Sequence, residues 1–129
     1  MKTQYDHQTK TLKVLLDGEI DHHSALDMRM EIDRVIKEKQ PKKLVLDYGE
    51  VTFMDSSGIG LIMGRYRIMN EQDGEVIVAR PPAYIKKVLR LAGVDRLAPI
   101  TDDLRGLIPK DIFKEKEAEK IEQTAPQTT

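Results

Sequence analysis

Phe53-Met54-Asp55-Ser56-Ser57-Gly58-Ile59-Gly60 is the stretch on which the chain turns: an apolar run ends in it and a helical pattern begins. Just upstream, Leu44-Val45-Leu46-Asp47-Tyr48 is compact and apolar, which predicts a buried strand. Downstream, Ile59, Ile62, Met63, Tyr66 and Met69 recur at three- and four-residue spacing, the pattern of an amphipathic helix that ends near Asp73-Gly74. The octet is therefore a strand-to-helix turn. Ser56 or Ser57 is expected at the helix N-cap, where a hydroxyl can accept a bond from an orphaned backbone N–H. Gly58, Gly60 and Gly64 fall inside the helix, where each costs about 1 kcal/mol relative to alanine. Glycine in such places often permits close approach by another backbone, from the sheet beneath or a partner above.

Working outward, Thr3 to Gln8 and Leu12 to Leu16 flank a turn-like Gln8-Thr9-Lys10 and suggest a hairpin. Ala25, Met28, Ile32, Val35 and Ile36 give a helix from Ser24 to Lys39, which Pro41 stops. Glu75 to Ala79 reads as a strand. Pro81-Pro82 can start a third helix with Ile85, Val88, Leu89 and Ala92 as its buried stripe and Gly93 as a left-handed cap. A short strand near Leu97 to Ile100 and a helix from about Asp102 are expected to follow. The order ββαβαβα predicts an α/β fold: a mostly parallel central sheet, an antiparallel N-terminal strand, and helices packed against it. Residues 1–109 are read as one domain. Residues 110–129 are polar and rich in Lys and Glu, a composition expected of a flexible tail.

The totals narrow the function. A chain of 129 residues suits a single core. Its net charge of -1 offers nucleic acid or an anionic membrane no strong positive field, so neither is an expected partner. There is no cysteine, which removes disulfides and thiolate chemistry. No stretch approaches the ~20 apolar residues of a membrane span, and the first residues lack the apolar run of a secretory signal, so the expected location is cytoplasmic. His22-His23 are adjacent and point different ways on regular structure, so no metal site is expected. Ser56 lacks a Gly-x-Ser-x-Gly elbow, and Gly58-Ile59-Gly60 lacks the Gly-Lys-Ser/Thr ending of a phosphate loop. The chain reads as a binding protein, not an enzyme, with no cofactor and a monomer as the favoured state.

Gly18-Glu19-Ile20-Asp21-His22-His23, taken with Met54-Asp55-Ser56-Ser57-Gly58-Ile59-Gly60, resembles the STAS domain family, the bacterial anti-sigma factor antagonists, and most of all its sporulation-type members. Gly64-Arg65-Tyr66, the Gly74-Glu75 turn and Val88-Leu89-Arg90-Leu91-Ala92-Gly93 extend the resemblance over about residues 3 to 108. It implies a STAS fold and a phosphorylation switch. Ser56 would be the acceptor, modified by an anti-sigma factor that is also a serine kinase. The unphosphorylated form would bind that kinase and release its sigma factor, and a serine phosphatase would restore it. Glu19, Asp21, His22 and Asp55 would shape the docking surface, with Ser56, Ser57, Gly58, Ile59 and Leu61 at its centre. The alternative is a STAS scaffold that binds proteins without being phosphorylated.

A phosphate at the start of a helix suits this reading. The first turn offers free N–H groups and a partial positive charge, so the added anion, about -1.5 to -2, is tolerated there. The dipole contribution alone is about 0.3–1 kcal/mol, whereas repulsion at a complementary interface can reach several kcal/mol.

Overall fold

The computed structural model describes residues 1–105. The elements run β1 (Lys2–Asp6), β2 (Thr11–Ile20), α1 (His22–Lys39), β3 (Lys43–Met54), α2 (Ser56–Glu71), β4 (Glu75–Ala79), α3 (Ala83–Leu91), a 3₁₀ turn (Val94–Arg96) and β5 (Ile100–Thr101). The five strands lie in the order β1-β2-β3-β4-β5, with β1 antiparallel to β2 and every later pair parallel. This is the α/β architecture expected from the sequence. Each parallel crossover moves one strand along in the same direction. Right-handed crossovers that never reverse direction place all their helices on one face.

Packing follows from that rule. On the helix side of the sheet, Leu12, Val14 and Leu16 of β2, Leu44, Leu46 and Tyr48 of β3, and Val76 and Val78 of β4 form one buried cluster. Ile32 and Ile36 of α1, Ile62 and Met69 of α2, and Ile85 and Leu89 of α3 complete it. Full burial of such a side chain contributes about 1.5–3 kcal/mol. Aliphatic residues and Tyr48 fill the core, in keeping with a chain that has no tryptophan.

Several boundaries differ from expectation. The first strand ends at Asp6, because the Asp6 carboxylate turns back to accept from the Gln8 N–H (3.1 Å) and the Thr9 hydroxyl (2.7 Å). α1 begins at His22 instead of Ser24, since its cap lies at Asp21. In α3 only Ile85 and Leu89 are buried; Val88 lies on the outer side, and Ala92 falls beyond the last turn. Gly93 does adopt the left-handed conformation, at φ +79°. The last strand forms at Ile100–Thr101, and the 3₁₀ turn occupies the residues before Leu97. Of the helix expected from about Asp102, residues 102–105 are non-helical. The rest of that expectation and the 110–129 tail lie outside the described residues.

The opposite face of the sheet carries an ionic centre. Asp47, fully buried on β3, accepts from Arg80 through both oxygens (3.0 and 2.9 Å) and lies 3.5 Å from the Lys13 ammonium. It also accepts the Gly49 N–H at 2.9 Å. Val45, Ile77 and Ala79, the last paired with Asp47 in the sheet, form a small buried cluster with Leu104 packed against it. An ionised carboxylate is held in such a place only by dense compensation of this kind. Asp47→Ala removes the acceptor that both cations share. It is expected to lower the unfolding free energy by about 3–5 kcal/mol, read as a shift of the urea midpoint.

Candidate functional site

Two helix starts are brought together by the pairing of two strand ends. β2 and β3 are in parallel register through Glu19↔Phe53 and Ile20↔Met54. The pairing continues one step further, with the Asp55 N–H donating to the Ile20 carbonyl at 3.1 Å. Register shifts between Leu15 and Asp17 and between Gly18 and Glu19 are needed to reach this alignment. Gly18 sits at one of them with φ +74°, a conformation that side-chain-bearing residues rarely adopt. Each chain then leaves the sheet through an aspartate, Asp21 on one side and Asp55 on the other, and each aspartate caps a helix.

Asp21 forms a reciprocal cap. Its Oδ1 accepts from the His23 N–H (3.0 Å) and the Ser24 N–H (2.9 Å), while the Ser24 Oγ accepts from the Asp21 N–H (2.9 Å). The Ser24 hydroxyl also donates to the Glu19 carbonyl at 2.7 Å, fixing the strand end to the helix start. The Ser24 N–H bond, before all else, holds the Asp21 carboxyl below the ordinary aspartate range.

On the second helix the cap is Asp55, whose Oδ1 accepts from the Ser57 N–H at 2.8 Å. A serine was expected in that role. A carboxylate accepts more strongly than a hydroxyl and opposes the positive end of the helix dipole, so it takes the cap. Ser56 is left as the first helical residue, exposed, with no side-chain hydrogen bond among the described residues. Ser57 and Ile59 are half-buried, and Glu19 and His22 are exposed. Gly58 is buried, and a Cβ there would run into the Met54 side chain. Leu61 is 4% exposed and belongs mainly to the core. Gly60 and Gly64 face open space instead.

Two neighbours of the turn escaped the sequence reading. Phe53, in the quoted octet, is 46% exposed at the end of β3. Tyr84 of α3 donates its hydroxyl to the Thr52 carbonyl at 2.7 Å, tying the third helix to the same strand end. Neither has a sequence signal of its own, because strand alternation cannot tell a solvent-facing aromatic from a core one beyond the edge of the sheet. Among the described residues no cluster of three or more His, Asp or Glu side chains could hold a metal ion. No described helix is long and apolar enough to cross a membrane.

The family model of the STAS domain matches residues 2–106. The chain belongs to the STAS domain family. A curated relative, the anti-sigma F factor antagonist of Paenibacillus polymyxa, is 35% identical over 103 residues, which cover 80% of this chain and 88% of that one. The solved Bacillus cell fate determinant SpoIIAA, in its phosphorylated form, matches with 26% identity and a TM-score of 0.63, covering 82% of this chain and 96% of that one. The anti-sigma factor antagonist SpoIIAA in its unphosphorylated form shares the fold at a TM-score of 0.66 and 24% identity, covering 97% of this chain and all of that one. Within this STAS domain the two capped helix starts form one edge.

The two caps are separable in experiment. Asp55→Ala is expected to cost about 1 kcal/mol of stability, read by thermal or urea unfolding, without loss of the fold. The Asp21 carboxyl has a folded pKa lower than its unfolded one. Its contribution is therefore complete above the unfolded carboxylate range and disappears as pH falls through the folded value. Amide exchange at His23 and Ser24 is expected to accelerate, relative to the intrinsic rate, only in that acidic window.

Proposed function

We propose that this protein is an anti-sigma factor antagonist whose unphosphorylated form binds an anti-sigma factor with serine kinase activity. Phosphorylation of Ser56 switches that binding off, and a serine phosphatase reverses it. The observation that carries the reading is the exposed Ser56 hydroxyl on the first residue of α2, with Asp55 rather than Ser56 acting as cap. A kinase can reach such a hydroxyl without unfolding anything, and no structural hydrogen bond is lost when it is esterified. The curated Paenibacillus polymyxa relative carries the antagonist function in its name, and the Bacillus relative has a phosphorylated form.

The physical consequence of the modification is local. The new charge arrives beside Asp21, Asp55 and the exposed Glu19, so an already acidic edge becomes strongly anionic. The helix start offsets part of this within the chain. A partner that fits the neutral hydroxyl faces both an added bulk and an added charge. Glu19, Asp21, His22, Asp55, Ser57, Gly58, Ile59 and Leu61 make up the proposed contact region around Ser56. The kinase supplies ATP, magnesium and the catalytic base, so this chain needs no catalytic group.

Incubation of the purified chain with its anti-sigma kinase and ATP is expected to add one phosphate by intact mass, and none to Ser56→Ala. Ser56→Asp is expected to weaken kinase binding while moving the melting temperature little. An unmodified wild-type chain in the presence of demonstrably active kinase would favour a STAS scaffold without a phosphorylation switch.

A further inference from the structure

A groove of about 400 Å³ runs between the N-terminal halves of α1 and α2. Its apolar part is made by Leu26 and by Gly60 and Gly64, where a Cβ would meet nothing within 4 Å. The charged part comes from three arginines, Arg29, Arg65 and Arg67. Arg65 is 5% exposed and paired with Asp33, its Nε 2.7 Å from Oδ1 and its Nη2 3.3 Å from Oδ2; Nη1 donates to the Leu61 carbonyl at 3.2 Å. Arg29 and Arg67 are exposed and have no ion pair among the described residues. Asp33 thus neutralises Arg65, and the two exposed guanidinium groups beside it are left without a carboxylate partner among the described residues. Burial lowers the Arg65 pKa, Asp33 opposes this, and the charges of Arg29 and Arg67 add to the lowering, as expected of cations held close together.

We propose that this groove is a second docking subsite, which receives an acidic segment of the anti-sigma factor bearing an apolar anchor. The inference rests on the antagonist reading and deepens it. Three observations favour a protein segment over a free small anion. The apolar rim continues past the groove, from Leu26, 47% exposed, to Met30 one turn later, 61% exposed. Open space above Gly60 and Gly64 admits a partner side chain or backbone between the helices. Finally, Ser57 and His22 line the groove, so it adjoins the edge that carries Ser56. The docking face is then divided by charge, acidic at Glu19, Asp21 and Asp55 and basic at Arg29 and Arg67. Such a division fixes the orientation of a partner with the opposite arrangement. A phosphate on Ser56 falls beside this boundary and repels the incoming acidic segment.

Calorimetric titration with the anti-sigma factor tests this, with wild type and Ser56→Asp as references. The double variant Arg29→Glu/Arg67→Glu is expected to bind about 30-fold more weakly or worse. Gly64→Leu, which fills the groove, is expected to bind about tenfold more weakly while its melting temperature rises, because leucine is the better helix former. A purely structural role for Gly64 would move both quantities down together. Both variants binding within twofold of wild type, with Ser56→Asp still impaired, would overturn the groove proposal and leave the antagonist reading intact. A wild-type chain that binds no anti-sigma factor would remove both. Inorganic phosphate that shifts the Gly64 and Arg67 amide resonances, with those resonances unmoved by the anti-sigma factor, would reassign the groove to a small anion and overturn the proposal.

Discussion

The parallel pairing of Ile20 with Met54 is the constraint from which the rest of this edge follows. Once those residues are opposite each other, the next residue of each chain is an aspartate leaving the sheet at the same level. Asp21 accepts from two free N–H groups of its starting helix and Asp55 from one, and the helices begin where the strands stop. Shifting one strand by a single residue would send its inward side chains to the other face of the sheet and separate the two caps. The irregular steps around Gly18 are therefore part of the design: they absorb the mismatch between two strands of different length before the register that matters is reached.

Burial of charge at two places sets limits on how this edge can move. On the far side of the sheet, Asp47 ties β3 to Arg80, the residue that follows β4, and to Lys13 of β2. On the helix side, Arg65 binds α2 to α1 through Asp33. The Nε–Oδ1 contact there is an ion pair rather than an aligned hydrogen bond, since neither atom gains a hydrogen-bond partner of proper geometry. The paired arrangement spans adjacent strands in one case and adjacent helices in the other. The first clamp holds β2, β3 and the end of β4 together, and the second holds α1 against α2, the two helices whose starts form this edge.

Much of this was legible in the sequence because it rests on periodicity. The strand at Leu44 to Tyr48, the helix from Ile59 to Met69 and the strand at Glu75 to Ala79 each show their hydrophobic repeat in one dimension. What failed was decided by competition in three dimensions. Ser56 and Ser57 have the right chemistry for a cap, but Asp55 stands one residue earlier with a stronger acceptor. Val88 has the right hydrophobicity for the core of α3, but a helix of nine residues laid on the last strands buries only Ile85 and Leu89. Arg65 looks like a surface residue in the sequence and is buried because Asp33, thirty-two positions away, meets it. No window of local sequence contains that partner.

Because the carboxylate of Asp55 starts the helix, the neighbouring hydroxyl bears no architectural duty. A lineage can exchange Ser56 for another small residue and still inherit the same domain, whereas Asp55 is anchored by the architecture itself. The scaffold can thus outlive the hydroxyl at Ser56. Descendants of one such gene can diverge into forms with and without the proposed acceptor by one codon change, without any compensating repair elsewhere in the chain.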